Sequence, residues 1–252
     1  MMSAKLHYNS VAGGVDAKIM QNRRLAHNAV KRCLVNEAMF FSGVLHSGIA
    51  TILDLACGRG GDVGKFKHLQ VEYHGADVAE LALDEADRRF HEMGMRGTFH
   101  RHLGDAAEVD VPLFGDADIA VVNFALHYFT DTKKHCEALI KQASKALRKG
   151  GVFCGVYTRS ALAKLSPFTR SLNWPTVGQM EAYPWGHRYT FDMPPFVNAD
   201  EYLVPMNEVV QIAHDNGLML MKDRGIVEYA QANSVQVQHI DCMYGVFMFI
   251  RV

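Results

Sequence analysis

Two carboxylates bracket a run of glycines in Asp54-Leu55-Ala56-Cys57-Gly58-Arg59-Gly60-Gly61-Asp62, and this stretch is the chain's best candidate for chemistry. The apolar run Ile52–Leu55 enters the glycine turn as a buried strand would, and glycines there let a ligand lie against the backbone. A second apolar run, Tyr73-His74-Gly75-Ala76, ends at Asp77, and an acidic group at such a strand tip is placed to hydrogen-bond a ribose. A dinucleotide-binding loop would read G-x-G-x-x-G and turn free helix N–H groups toward a pyrophosphate. Here Asp54 and Asp62 would repel a pyrophosphate and favour a cationic ligand. S-adenosylmethionine, a nucleoside bearing an ammonium and a sulfonium, fits that charge pattern. A strand-turn-helix whose glycines serve only packing would leave Asp77 as an N-cap of the following helix, a role its place at the sheet's edge favours less than a ligand contact.

The elements that must position these groups follow from the rest of the chain. At 252 residues and 49% hydrophobic, it is long enough for one α/β domain with a full core. Helical spacing of Ala29, Val30, Cys33, Leu34 and Ala38 predicts a helix over 26–41. Strands are predicted at 51–55, 72–76, 98–103, 119–123 and 152–157, with helices at 62–68, 79–93 and 133–147 between them. The alternation breaks at 159–205, a polar, aromatic, proline-bearing insertion with a short strand at 189–192. A helix at 207–216 and strands at 218–222 and 243–250 close the chain, and the last strand, entered from its neighbour by a β-connection, should insert antiparallel. The expected architecture is a doubly wound α/β sheet with an antiparallel last strand and an insertion after strand 5.

Composition narrows the partners. A formal net charge of −1 argues against a general polyanion binder, so any nucleic acid would be held by a terminus or a single nucleotide. The five cysteines form no C-x-x-C pair, and most, lying in apolar runs, read as small core residues in a reducing compartment. The thirteen histidines make no metal-ligand pattern, so no metal is expected, and they read as surface or capping groups. No apolar run is long enough to span a membrane, and Met1 to Asn9 lacks a signal-peptide core.

Taken together the segments resemble the mRNA cap guanine-N7 methyltransferase family of class I S-adenosylmethionine-dependent enzymes. The loop Asp54–Asp62, Ala76-Asp77-Val78-Ala79-Glu80, Arg89-Phe90, and Phe124-Ala125-Leu126-His127-Tyr128 match its motifs. So do Tyr189-Thr190-Phe191, Glu201-Tyr202-Leu203-Val204-Pro205, Tyr244 to Phe249, and His7-Tyr8-Asn9. Departures are Ala56 for the family's first glycine, His27 for an asparagine, Ala29 for a tryptophan, and Asn123 where glutamine is frequent. The resemblance implies a single methyltransferase domain over 1–252, with an N-terminal helical extension at 1–50 and a substrate-binding insertion at 159–205. It implies methyl transfer from S-adenosylmethionine to N7 of a GpppN cap guanine, leaving S-adenosylhomocysteine. N7 is already a nucleophile at neutral pH, so the reaction needs in-line positioning rather than a general base.

For the cofactor the resemblance implies Lys31 at the methionine carboxylate, Asp54 orienting the loop or the ammonium, and Ala56 and Gly58 in the turn. Asp77 is implied at the ribose, Asp105 at the adenine amino group, and Asn123 and Tyr128 beside them. For the substrate it implies Arg59 and Arg89 at the triphosphate, with Lys65 a weaker candidate, and Tyr8 and Asn28 near the nucleoside. Glu201 would accept from the guanine Watson–Crick edge, with His127, Tyr128 and Tyr244 completing the catalytic set by positioning. Capped RNA, other capping enzymes and a nuclear or cytoplasmic setting are implied as well. Two readings compete: a small-molecule O- or C-methyltransferase, and a non-catalytic methyltransferase-fold capping subunit.

Overall fold

The structure is a computed structural model that describes residues 17–193, 197–236 and 241–252. Helix α1 (Ala17–Ser42) and the short α2 (Val44–Ser47) lead into strand β1 (Ile49–Leu55). Then come β2 (Gln70–Asp77), α3 (Glu80–Glu92), β3 (Arg96–Leu103), β4 (Ala117–Asn123), α4 (Lys133–Ala146) and β5 (Leu147–Thr158). The insertion holds α5 (Ser160–Ala163), β6 (Thr169–Arg170), α6 (Val177–Ala182), β7 (Arg188–Met193) and β8 (Val197–Tyr202). The chain returns through α7 (Met206–Asp215), β9 (Leu218–Gly225), α8 (Ile226–Ala232) and β10 (Tyr244–Arg251).

The main sheet has seven strands in the order β3-β2-β1-β4-β5-β10-β9. β1 pairs in parallel with β2 and β4, so the strand order reverses at β1/β4, the point where doubly wound sheets open a crevice. β10 runs antiparallel between β5 and β9, as the sequence predicts for the last strand. Both faces are covered, which is why β1 and β10 read as apolar runs rather than alternating ones. Val30 and Leu34 of α1, Phe90 of α3 and Tyr229 of α8 pack on one face with Ile52. Leu139 and Ile140 of α4 and Ile212 of α7 pack on the other with Leu53. Leu34 is fully buried, so Leu34→Ala would cost about 3 kcal/mol.

Several elements differ from expectation, most of them short pieces within the insertion. The helix predicted at 62–68 is a 3-10 turn, Val63–Phe66, because the glycines before it and the inward-facing Asp62 and Lys65 bind that segment to the loop instead. Glu201 lies inside strand β8, paired opposite Tyr189, an element not placed from the sequence. Helix α8 was not predicted, since its seven residues carry too little periodicity to be read. In the small antiparallel sheet β6-β7-β8, Tyr189 and Phe191 join the first core and fix that sheet over the C-terminal edge of β4 and β5.

Candidate active site

The Gly loop turns where β1 ends. Ala56 takes a left-handed φ of 65°, a conformation that costs an L-residue about 1 kcal/mol or more. At the matching end of β4, Phe124 is left-handed too, with φ 55°. Such strain gathers where a scaffold must aim backbone at a ligand. Gly58 N–H donates to Asp77 Oδ2 at 2.8 Å, and Ala79 N–H donates to Oδ1 at 2.9 Å. Asp77 thereby locks the loop to the tip of β2. Burial raises its pKa, and the two N–H donors oppose that rise. Gly75 is required below the loop, because a Cβ there would stand 2.8 Å from the Phe99 ring and 3.0 Å from Cys57 Sγ.

A cavity of about 480 Å³ opens at this switch point. Lys31, Ala56, Gly58, Asp77, Asp105, Asn123 and Tyr128 all line it, so seven of the eight residues predicted for the cofactor share one wall. Asp54, the eighth, lies beneath the loop, 2% exposed, where it accepts the Tyr73 hydroxyl. Burial and then the charge of Asp62 hold Asp54 well above the usual carboxylate range, so it supports the loop from below rather than facing the cavity. Asp62, on the cavity wall, takes Lys31 Nζ at 2.7 Å and Lys65 Nζ at 2.6 Å on one oxygen and Asn123 Nδ2 at 3.0 Å on the other. Burial alone would raise Asp62, but the two ammonium groups bring it below its ordinary value. Asn123 Oδ1 is left buried with no hydrogen-bond partner among the described residues.

Sequence reasoning missed a second arrangement here. His135 on α4 stands between Asp131 Oδ1, at 2.7 Å from Nδ1, and Asp105 Oδ2, at 3.2 Å from Nε2. The Asp105 hydrogen bond, with Asp131 adding to it, raises His135 to about 9 against the opposing effect of burial. In turn burial would raise Asp105, but His135 and the Ala107 N–H hold it below its ordinary value. The Asp131–His135 spacing of one helical turn was visible in sequence; Asp105 as third member was not.

A smaller cavity of about 170 Å³ adjoins the first, and Phe124 and Tyr128 line both. Its wall includes His127, Tyr128, Glu201 and Tyr244, the four residues the sequence grouped as the catalytic set. Glu201 is 4% exposed; Tyr189 O–H donates to its Oε2 at 2.6 Å, and His127 Nε2 lies 3.3 Å from its Oε1. The Tyr244 ring meets Phe124 edge-on at 4.8 Å. Arg23, Arg24 and His27 of α1 also line this cavity, and none of them was singled out as a site residue in sequence. Four predicted substrate groups line neither cavity: Asn28 takes Lys65 Nζ at 3.4 Å, Lys65 itself is buried on Asp62, Arg89 pairs with Glu85 at 2.7 Å on α3, and Arg59 is exposed on the loop. Tyr8 lies outside the described residues.

The two cavities lie side by side across Phe124 and Tyr128: a large one with carboxylates and an ammonium, and a small one with a buried carboxylate. No group of three or more metal-ligating side chains occurs among the described residues, and no helix there is long and apolar enough to cross a membrane.

Residues 4–243 match the model of the mRNA (guanine-N(7))-methyltransferase domain. The chain is 27% identical over 219 residues to mRNA cap guanine-N(7) methyltransferase 1 of Arabidopsis thaliana, covering 76% of this chain and 59% of that protein. It is 26% identical over 200 residues to the mRNA cap guanine-N(7) methyltransferase of Saccharomyces cerevisiae, covering 68% of this chain and 46% of that one. It thus spans about half the length of these curated relatives. Among solved structures it is similar in fold to an S-adenosylmethionine-dependent methyltransferase from Clostridium acetobutylicum, with TM-score 0.58 and 12% identity over 91% of each chain. A SAM-dependent methyltransferase from Methanosarcina mazei gives TM-score 0.59 and 15% identity over 83% of this chain and 97% of that one.

Proposed function

The chain belongs to the mRNA (guanine-N(7))-methyltransferase family, and from that membership we propose that it methylates N7 of the guanine in a GpppN-capped RNA end. The observation that carries this reading is the pair of adjacent cavities, the smaller of which is lined by Glu201. A buried carboxylate facing two adjacent N–H donors, guanine N1–H and the exocyclic amine, selects guanine over adenine. Tyr189 aims that carboxylate through its hydroxyl, and the Tyr244 and Phe124 rings supply faces for a base.

The larger cavity fits S-adenosylmethionine. Asp77 lies at the strand tip suited to ribose hydroxyls, Asp105 would accept from the adenine amino group beside its bonds to His135 and Ala107, and Asn123 Oδ1 is free among the described residues to accept another donor. When bound, the cofactor supplies a methyl group on a sulfonium, already electrophilic. Lys31, held by Asp62, meets the carboxylate of its methionine end. Phe124 and Tyr128, shared by both cavities, keep the two ligands in register and exclude water between them. N7 carries no proton, so no side chain here acts as a base. Arg24, exposed at the small cavity, is placed to meet the cap phosphates. Residues 1–252 are proposed as one methyltransferase domain with 159–205 as its substrate-binding insertion, working in the nucleus or wherever capping occurs, beside the enzymes that build the cap.

Methyl transfer from labelled cofactor to short GpppA-capped RNA, with ApppA-capped RNA as control, tests the reading. Label released as m7GpppA, and none from the ApppA control, is expected. Cofactor binding without transfer to either RNA would overturn it.

A further inference from the structure

His135 is the third residue of α4, and its backbone N–H donates to the Thr132 cap hydroxyl at 3.2 Å. Both of its side-chain partners, Asp105 and Asp131, line the larger cavity, and His135 stands behind them. The ring is held from three directions: Nδ1 lies 2.7 Å from Asp131 Oδ1, Nε2 lies 3.2 Å from Asp105 Oδ2, and Phe129 meets it edge-on at 5.1 Å. The Asp131 oxygen is itself fixed by the Thr132 N–H at 2.8 Å. Only an imidazolium donates from both nitrogens, so two carboxylate acceptors specify the charged ring. Its helix gives that charge no support. Lys133 and Lys134 share the first turn of α4, where the helix dipole disfavours cations. The carboxylates alone account for a cation at this position.

Asp105 is the partner with work to do in the cavity. Its Oδ1 accepts the Ala107 N–H at 2.9 Å and its Oδ2 accepts His135, which leaves further lone pairs for a ligand. An ionised carboxylate only accepts, so it takes an amino group and repels a carbonyl oxygen. Without the ring it would keep one donor, turn toward water and lose that aim. Burial also pushes the Asp105 carboxyl up, and the bond from His135 is the foremost influence against it. The same bond, opposed by burial and seconded by Asp131, raises His135 to about 9, so the ring is charged at neutral pH.

We propose that His135 is a positioning residue that aims the Asp105 carboxylate into the larger cavity and so makes the chain select a 6-aminopurine cofactor over its 6-oxo counterpart. The inference rests on the reading that places adenine at Asp105. It goes beyond that reading because neither Asp131 nor His135 belongs to the motifs that carry the family resemblance.

Equilibrium binding of S-adenosylhomocysteine and of S-inosylhomocysteine to the full chain tests it, since the two differ at the purine 6-position, amino against oxo. Wild type should prefer the adenosyl form at least about 30-fold, because the inosyl form sets an oxygen against the carboxylate. His135→Leu should weaken S-adenosylhomocysteine about tenfold, change S-inosylhomocysteine less than about twofold, and so cut the preference at least about fivefold. GpppA binding should stay within about twofold of wild type. A purely structural role would weaken both nucleosides alike, so an unchanged preference in His135→Leu would overturn the proposal. If the leucine variant does not fold, His135→Gln, which offers donors on one side only, replaces it with the same expectations. A wild-type chain that binds the two nucleosides equally overturns the placement of adenine at Asp105 and this proposal with it. A wild-type preference that His135→Leu leaves intact overturns the proposal alone.

Discussion

Glu201 sits almost without solvent, its two oxygens facing Tyr189 and His127, so any change to it is felt by a ligand directly. Glu201→Gln keeps the shape but turns one acceptor into a donor aimed at the donor edge of guanine. Loss of a buried, charge-assisted pair of this kind costs about 2–5 kcal/mol, so kcat/KM on GpppA-capped RNA should fall about 30-fold or more with S-adenosylhomocysteine affinity unchanged. Retention of near-normal turnover would remove Glu201 from guanine recognition. Ala56 offers the opposite kind of test. Its φ of 65° suits glycine, so Ala56→Gly should raise unfolding free energy by up to about 1 kcal/mol in urea titration and leave cofactor binding equal or tighter. A destabilised glycine variant would mean the methyl packs better than the backbone suffers. Asp77 was legible from its place at a strand tip, and Glu201 from the resemblance of Glu201-Tyr202-Leu203-Val204-Pro205 to the family pattern. His27, Asp131 and His135 were not, because their meaning comes from neighbours far along the chain: Asp105 for one ring, Tyr244 for the other.

At the scale of elements, α1 does more than cover the sheet. Its buried side carries Val30 and Leu34, and its edge runs Arg23, Arg24, His27 and Lys31 along the two cavities. The periodicity of the buried side was readable as a helix. The polar edge was not, because a solvated face and a ligand-facing one look alike until the sheet beneath is placed. The same limit explains Arg89, whose helix α3 packs it against Glu85, away from both cavities. Charge reversal separates the candidates. Arg24→Glu should raise KM for GpppA-capped RNA about tenfold, with kcat and S-adenosylhomocysteine affinity held, and the defect should shrink as salt is raised. Arg89→Ala should change KM less than about twofold. The reverse ranking would move the phosphates to α3. The predicted helix at 62–68 failed for a related reason: Asp62 and Lys65 have acceptable helix propensity, but the loop's ion pairs bind both side chains inward.

Over the whole molecule, histidines set opposite limits on stability, and thirteen of them scattered in the sequence gave no hint of it. His27 and His74 are both held down to about 4, His74 by burial and then by the stacked rings of His100 and His102. A histidine depressed in the fold contributes stability that is complete above its unfolded value of about 6.5 and is lost as pH falls toward 4. His135 is raised to about 9, so its contribution is complete below about 6.5 and is lost as pH rises through 9. Screening of these part-buried rings keeps each contribution to about 1–2 kcal/mol. Unfolding free energy should therefore fall on both sides of neutrality, with each limb owned by a different residue. His74→Gln should flatten the loss between pH 7 and pH 5 by about 1 kcal/mol in urea titrations, and His135→Gln should do so between pH 7 and pH 9. His135 differs from His74 in one respect: it holds Asp105, which lines the larger cavity. Its deprotonation should thus weaken S-adenosylhomocysteine as well as the fold, and His135→Gln should bind it with an affinity that no longer changes between pH 8 and pH 9.5. If wild type and variant weaken in parallel over that interval, the alkaline limb belongs to another group, and Asp105 does not depend on the imidazolium for its place at the cavity wall.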